Sequence, residues 1–339
     1  MTVLLTGVAG FIGFHTAIAL LGAGEEVVGV DDMNAYYDPR LKQARLARLR
    51  LRPGFTFVQA DIADRAAMEL VAATHPAITR IVHLAAQAGV RHSMVDPHAY
   101  VSANVMGHLQ VLEVARRLGR VDHLVYASSS SVYGANATLP FTETDRVDTP
   151  LSLYAATKRA DELMSHAYAH LYGLPQTGLR FFTVYGPWGR PDMAYFQFAE
   201  AILAGTPITV YDEGTPRRDF TYIDDIVAGI VGCLGKPPRG EAPARCLNIG
   251  NSRNEAVATL VGLLEQALRR RAVIHNVARP RADVAETYAD IDAIAALTGF
   301  APVVSLEQGI PRFAAWFLAW RRAREENGDF GVDLIGPEA

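Results

Sequence analysis

Thr6-Gly7-Val8-Ala9-Gly10-Phe11-Ile12-Gly13 is the stretch on which the fold turns. It follows a short apolar, β-prone run and leads into residues with helical periodicity, so it joins a first strand to a first helix. Glycines at such a junction allow a tight turn, let the backbone approach a pyrophosphate, and seat the helix against the sheet. The helix N-terminus beyond adds unsatisfied N–H groups and a partial positive charge. The spacing is G-x-x-G-x-x-G, so it differs from the plain dinucleotide fingerprint. Gly7, Gly10 and Gly13 carry the pattern, with Ala9, Phe11 and Ile12 between them as further cofactor-side candidates.

Outward from this turn, β-branched runs alternate with helical periodicity. Strands are predicted over 3–6, 26–30, 55–59, 80–84, 123–127 and 176–180, and helices near 11–21, 66–74, 99–118 and 154–172. That alternation predicts an α/β fold with a doubly wound parallel sheet of about six strands. Residues 186–191 read as a turn-rich linker. Beyond them, a helix near 223–234 and a strand over 246–249 are expected to rejoin the sheet. The predicted division is a Rossmann domain over 1–182, to which 220–250 return, and a smaller interleaved α/β substrate lobe from 183–219 and 251–330. A closing helix over 305–322, N-capped by Ser305, leads to a weakly ordered tail from 325 that includes 331–339.

Of the 339 residues, 50% are apolar and 20% charged, ordinary values for a globular enzyme. A net charge of -4 gives no reason to expect nucleic acid or an anionic membrane as partner. No apolar stretch is long enough to span a bilayer, and the opening residues lack a basic leader region, so a cytoplasmic protein is expected. Cys233 and Cys246 are the only cysteines, which excludes a multi-bridge disulfide framework and a thiolate-built zinc site. No metal is expected. The basic run from Arg40 to Arg52 reads as a solvated helix face.

Asp31-Asp32 closes the second strand about eighteen residues after Gly13. A carboxylate there accepts hydrogen bonds from ribose hydroxyls and repels a 2′-phosphate, which favours NAD over NADP. Asp61 and Ile62 follow the third strand, within reach of an adenine. Leu84, Ala85, Ala86 and Gln87 follow the fourth, and their small side chains suit a strand end that a dinucleotide crosses. Four serines at 128–131 follow the fifth strand. On the next helix Tyr154 and Lys158 stand four apart and so share a face. An ammonium beside a phenol favours the phenolate, which makes tyrosine usable as a base, and a serine such as Ser129 can share the proton. A Tyr-x-x-x-Lys spacing alone is weak. Its company makes it specific.

These motifs, in this order, resemble the extended short-chain dehydrogenase/reductase family of nucleotide-sugar epimerases, dehydratases and decarboxylases. Besides the stretches already quoted, the resemblance rests on 127–134 (ASSSSVYG), 180–190 (RFFTVYGPWGR), 217–220 (RRDF) and 222–225 (YIDD), and it covers nearly the whole chain. It implies an NAD that stays bound and is recycled. Tyr154 would take the proton of a sugar 4-hydroxyl, directly or through Ser129, Lys158 would hold the nicotinamide ribose, and Phe181 would join the cofactor residues. Thr209, Tyr211, Arg218, Arg281 and Asp283 would surround a UDP group. Ala282 departs from the pattern, since a glycine is common there. Pairing of the helices near 99–118 and 154–172 across a two-fold axis is also implied, giving a homodimer.

Within the family, dehydratases carry Asp-Glu directly after the catalytic hydroxyl residue, and UDP-glucuronate decarboxylases usually carry Glu two positions after it. Here those positions are Ser130 and Ser131. The loop from Thr183 to Ala194 and the run from Asp32 to Asp38 resemble the UDP-glucuronate 4-epimerase group instead. Thr183, a bidentate Arg190 and the hydroxyls of Ser129, Ser130 and Ser131 would suit a C5 carboxylate. The substrates implied are UDP-glucuronate and UDP-galacturonate, interconverted through a 4-keto sugar. UDP-glucuronate decarboxylation, 4-epimerisation of a neutral UDP-sugar, and a non-catalytic dinucleotide sensor are the alternatives.

Overall fold

The computed structural model describes residues 1–136, 138–279 and 284–327. The first half runs β1 (Thr2–Thr6), α1 (Phe11–Gly22), β2 (Glu26–Asp31), α2 (Pro39–Arg50), β3 (Phe55–Gln59), α3 (Arg65–Thr74) and β4 (Ile78–His83). It continues through α4 (Pro97–Tyr100), a π-helical segment Val101–Met106, α5 (Gly107–Leu118), β5 (His123–Ser129), α6 (Leu153–Tyr172) and β6 (Gln176–Phe181). The second half holds β7 (Thr183–Tyr185), α7 (Ala194–Ala204), β8 (Pro207–Tyr211), β9 (Arg217–Tyr222), α8 (Ile223–Leu234) and β10 (Ala244–Ile249). After these come β11 (Asn254–Ala256), α9 (Val257–Leu268), β12 (Val273–Val277), α10 (Asp292–Thr298) and α11 (Leu306–Asn327).

Seven strands form one parallel sheet in the order β10-β6-β5-β4-β1-β2-β3. The β-branched residues of the inner strands are mostly buried, as a parallel sheet covered by helices requires, whereas the edge strand β3 is only half-buried. The chain winds outward from β1 through β2 to β3, then crosses back to lay β4 on the other side of β1. The reversal opens a crevice at the carboxyl ends of β1 and β4, where ligands bind in such sheets. β10 joins the far edge on β6, so the strand expected near 246–249 does rejoin the sheet.

Local chemistry sets the helix ends. Asp64 caps α3 through the Ala67 N–H at 3.1 Å, and Ser152 caps α6 through the Ala155 N–H at 3.1 Å. Gly173 ends α6 in the left-handed conformation. The Ser305 carbonyl accepts from the Gln308 and Gly309 N–H groups, and the Ser305 N–H donates to the Gln308 side chain, which is the reciprocal half of a capping box. β7, β9 and β11 form a small second sheet, and β8 pairs with β12. Among the described residues no helix is long and apolar enough to cross a membrane.

Three expectations need correction. Residues 186–191 form a turn, but one packed into the core rather than a linker between units: Trp188 is 4% exposed and packs between Phe14 and Trp316. The basic run is not simply a solvated face, because Lys42 and Arg45 on α2 are buried. Helix α11 continues to Asn327, beyond the point where a loose tail was expected; 331–339 lie outside the described residues.

Candidate active site

A cleft of about 680 Å³ runs across the carboxyl ends of the sheet. Its size suits a small-molecule site. In the spatial order of the strands its walls carry Asp61 and Ile62 after β3, Asp31 at the end of β2, and Gly7, Gly10, Phe11, Ile12 and Gly13 after β1. Leu84, Ala85, Ala86 and Gln87 follow β4, Ser129, Ser130 and Ser131 lie at the end of β5, and Phe181 closes β6. Tyr154, Lys158, Thr183, Arg190, Tyr211 and Arg218 complete the wall.

The glycine turn is needed sterically. Gly7 has φ +72°, and a Cβ there would lie 2.7 Å from the Ala85 nitrogen, because the loops after β1 and β4 nearly touch. At Gly13 a Cβ would collide with the Gly7 carbonyl. Ala9 stands behind the wall: its N–H donates to Asp31 Oδ2 at 3.1 Å, and its carbonyl accepts from Arg45 Nη1 at 2.9 Å. The bare turn and the acid closing β2 fit a dinucleotide.

Asp31 is buried, and burial pushes its carboxyl above the ordinary range, opposed by Lys42 and by the N–H groups of Met33 and Ala9. Lys42 Nζ sits 3.6 Å from Asp31, 3.8 Å from Asp32 and 3.1 Å from Asn34 Oδ1. Lys42 carries no motif that marks it in the sequence. Its signal was the helical register of Leu41, Arg45 and Leu49, which puts 42 and 46 on the same inward side.

At the other end, the serines divide their work. Ser128 Oγ donates to Glu162 at 2.6 Å, and Glu162 is gripped by Arg180 through two bonds of 2.8 and 3.0 Å and by Arg159 at 3.0 Å. Those cations hold the Glu162 carboxyl below its usual range in spite of its burial. Ser129 Oγ accepts from the Ser131 N–H and hydroxyl, at 3.2 and 2.9 Å. Lys158 is buried, donating to the Ala127 carbonyl at 2.9 Å and to Asp161 at 3.0 Å. Burial raises the Asp161 carboxyl to about 6.

Asn104 carries no such motif either. It lies in the π-helical segment, and its amide bonds both backbone groups of Gln87 and the Thr157 hydroxyl, tying the loop after β4 to α6. Such segments break helical register, often at functional sites. Asp219, inside the RRDF motif, accepts N–H bonds from Asn251, Ser252 and Ala289 and so fixes the coil around the second lobe.

Arg190 meets a partner of its own chain. Nε and Nη2 donate to the two Asp192 oxygens at 3.1 and 2.9 Å, so the side edge of the guanidinium is not open to another carboxylate. Tyr211 faces the cleft with the Arg91 guanidinium 4.8 Å from its ring centre. Thr209 is exposed two residues earlier and does not line the cleft. Arg281 and Asp283 lie outside the described residues.

A doubly wound sheet whose switch-point cleft leads from the acid that closes β2 to a half-buried Tyr154 with buried Lys158 and Ser129 defines a dinucleotide-dependent enzyme of the short-chain dehydrogenase/reductase type. More narrowly, the chain belongs to the NAD dependent epimerase/dehydratase family, whose profile matches residues 3–250. It is 48% identical to the "Probable UDP-glucuronate 4-epimerase" of Rhizobium meliloti, over 95% of this chain and 99% of that one. It is 47% identical to "UDP-glucuronate 4-epimerase 5" of Arabidopsis thaliana, over 94% of this chain and 76% of the relative. Among solved structures, UDP-glucuronic acid 4-epimerase from Bacillus cereus, in complex with UDP-glucuronic acid and NAD, superposes with a TM-score of 0.87. That match covers 94% of this chain and 99% of the other at 33% identity.

Proposed function

We propose that this protein is a UDP-glucuronate 4-epimerase, interconverting UDP-glucuronate and UDP-galacturonate through a 4-keto sugar with NAD held in the cleft. The observation that carries the reading is one continuous cleft that contains Asp31, the glycine turn, Tyr154, Lys158, Thr183 and Arg190. NAD, when bound, supplies a hydride acceptor and donor for C4. Asp31 and Lys42 hold the adenosine side. Tyr154 takes the proton of the 4-hydroxyl, with Ser129 as an intermediate hydroxyl, and returns it after the sugar turns. Lys158 holds the nicotinamide ribose and contributes its charge beside the phenol.

The second requirement is to avoid decarboxylation. A C4 ketone beside the C5 carboxylate is a β-keto acid, which loses CO2 when the C5–carboxylate bond aligns with the carbonyl π system. Thr183, Arg190 and the hydroxyls of Ser129, Ser130 and Ser131 hold that carboxylate out of alignment. The absence of carboxylates at Ser130 and Ser131 supports epimerisation over dehydration or decarboxylation.

Residues 183–219 and 251–330 serve as the UDP-sugar lobe, with Tyr211 and Arg218 near the nucleotide. The protein works as a homodimer in the cytoplasm; exposed Leu163, Leu171 and Tyr172 on α6, with Val101 and Met106 on the facing helical run, support the pairing. Light scattering tests it. For the activity, the purified protein is incubated with UDP-glucuronate and no added NAD, and products are read by NMR and mass. UDP-galacturonate without UDP-xylose is expected; UDP-xylose as the main product would overturn the reading.

A further inference from the structure

Asp192 stands where three loops meet. It takes the side edge of Arg190, at 3.1 Å to Nε and 2.9 Å to Nη2. On its other side the Tyr36 hydroxyl, from the loop after β2, donates to Oδ2 over a long 3.4 Å. The loop after β4 closes in through Gly89, where a Cβ would lie 2.9 Å from the Tyr36 oxygen and 3.9 Å from Asp192 Oδ2. Both partners of the ion pair are about a quarter exposed, and Arg190 itself lines the cleft.

A guanidinium offers a carboxylate two edges: the side edge of Nε and one Nη, and the end edge of the two Nη atoms. In Arg190 the side edge is filled. Among the described residues Nη1 makes no hydrogen bond, and the second contact of Nη2 is the weak acceptor Met193 Sδ at 3.5 Å. The end edge therefore remains for a ligand, on a side chain whose direction is already set. We propose that Asp192 is a positioning residue: by occupying the side edge it aims the end edge of Arg190 at the C5 carboxylate, and so sets the preference for a uronic acid over a neutral sugar. This rests on the UDP-glucuronate reading above.

Two physical consequences follow. Arg190 held by Asp192 loses little rotamer freedom on binding substrate, so removing Asp192 weakens uronate binding even though it removes a like charge. A pure competitor would behave in the opposite way. A loosened Arg190 also lets the carboxylate rotate. The electron pair of the C5–carboxylate bond then moves into the C4 ketone, CO2 leaves, and the resulting enolate takes a proton at C5 to give a 4-keto pentose.

The test is Asp192→Asn, measured by calorimetric titration with UDP-glucuronate and with UDP-glucose, and by CO2 released per epimerisation from carboxyl-labelled UDP-glucuronate. The expected result is at least a tenfold loss of affinity for UDP-glucuronate, less than a twofold change for UDP-glucose, and a higher CO2 fraction. Asp192→Glu should recover part of the uronate affinity. Unchanged or tighter UDP-glucuronate binding, or equal losses for both ligands, overturns the proposal. Should Asp192→Asn fail to fold, Tyr36→Phe removes only the outer hydroxyl, and a loss confined to UDP-glucuronate decides in the same sense; no selective loss decides against. A wild-type protein that binds UDP-glucuronate no better than UDP-glucose contradicts the functional reading itself, separately from Asp192.

Discussion

The two halves of the cleft are built by different means. On the cofactor side, parallel pairing brings the strand ends to one line: Leu5 pairs with Gly29 of β2 and Val82 of β4, so the glycine turn, Asp31 and Leu84 arrive together. On the sugar side, coil is held by single polar side chains. Arg45 binds the carbonyls of Trp188 and Gly189, Asp219 binds three N–H groups, and Asp225 binds those of Val303 and Val304. The cofactor half takes its geometry from the fold. In the proposed reading the sugar half takes its selectivity from a few ion pairs and hydrogen bonds.

Removing a group from the first half should therefore abolish chemistry or stability, while removing one from the second should change which sugar is accepted. The largest effect expected is for Tyr154→Phe, with turnover of every UDP-sugar falling roughly 10²–10⁴-fold, as loss of a general base implies. Bound NAD measured after denaturation should stay near the wild-type level. A selective loss for one sugar would break the comparison.

Glu162→Gln comes next. It leaves the buried Arg180 guanidinium without its counter-charge, and breaking such a pair costs roughly 3–5 kcal/mol. Denaturant unfolding should read that loss, and a change under about 1 kcal/mol would contradict the assigned network.

Arg190→Ala belongs to the second half. A hydrogen bond to a charged group contributes about 1.5–3 kcal/mol, so kcat/KM for UDP-glucuronate should fall roughly 10–100-fold. UDP-glucose should change by less than about threefold, since it lacks the carboxylate. Equal losses would remove Arg190 from carboxylate recognition.

The smallest effect is on acid stability, and both halves contribute to it. Burial lowers His15 and His123 to about 4, His108 to about 3 and His83 well below 6.5. Unfolding frees these imidazoles to bind protons, so their contribution is present above pH 6.5 and lost as pH falls toward the folded values. Asp31, Asp161 and Asp219 are raised by burial and act the other way, since the folded state protonates them first. Asp224, also raised by burial, adds to the carboxyls, yet the four imidazoles together take up more protons on unfolding near pH 5 than these carboxyls release, so stability should fall as pH drops below 6.5. Melting curves at neutral and acid pH check the sign.

The same contrast explains what was legible in the sequence. Strands, the glycine turn, Asp31 and the Tyr/Lys helix follow from local periodicity and spacing, and each is found on the cleft or the sheet as expected. Lys42, Asn104, Asp192 and Asp219 were not seen as functional, because each has a partner beyond its own element, from about ten residues away for Lys42 to more than a hundred for Asp192. The basic run misled for a related reason: charge argues for solvent, yet Arg45 is buried because backbone carbonyls from 9, 188 and 189 converge on it. Turn-forming residues at 186–191 likewise revealed the turn but not the aromatic packing that buries it.

In the proposed reaction one pair of groups, Tyr154 and Lys158, serves a reversible oxidation at C4 while the sugar half keeps the carboxylate intact. UDP-glucuronate carrying deuterium at C4, incubated in ordinary water without added NAD, tests both parts at once. The account predicts UDP-galacturonate with the deuterium still at C4 and the carboxylate retained. Label lost to solvent, or a pentose product, would contradict it.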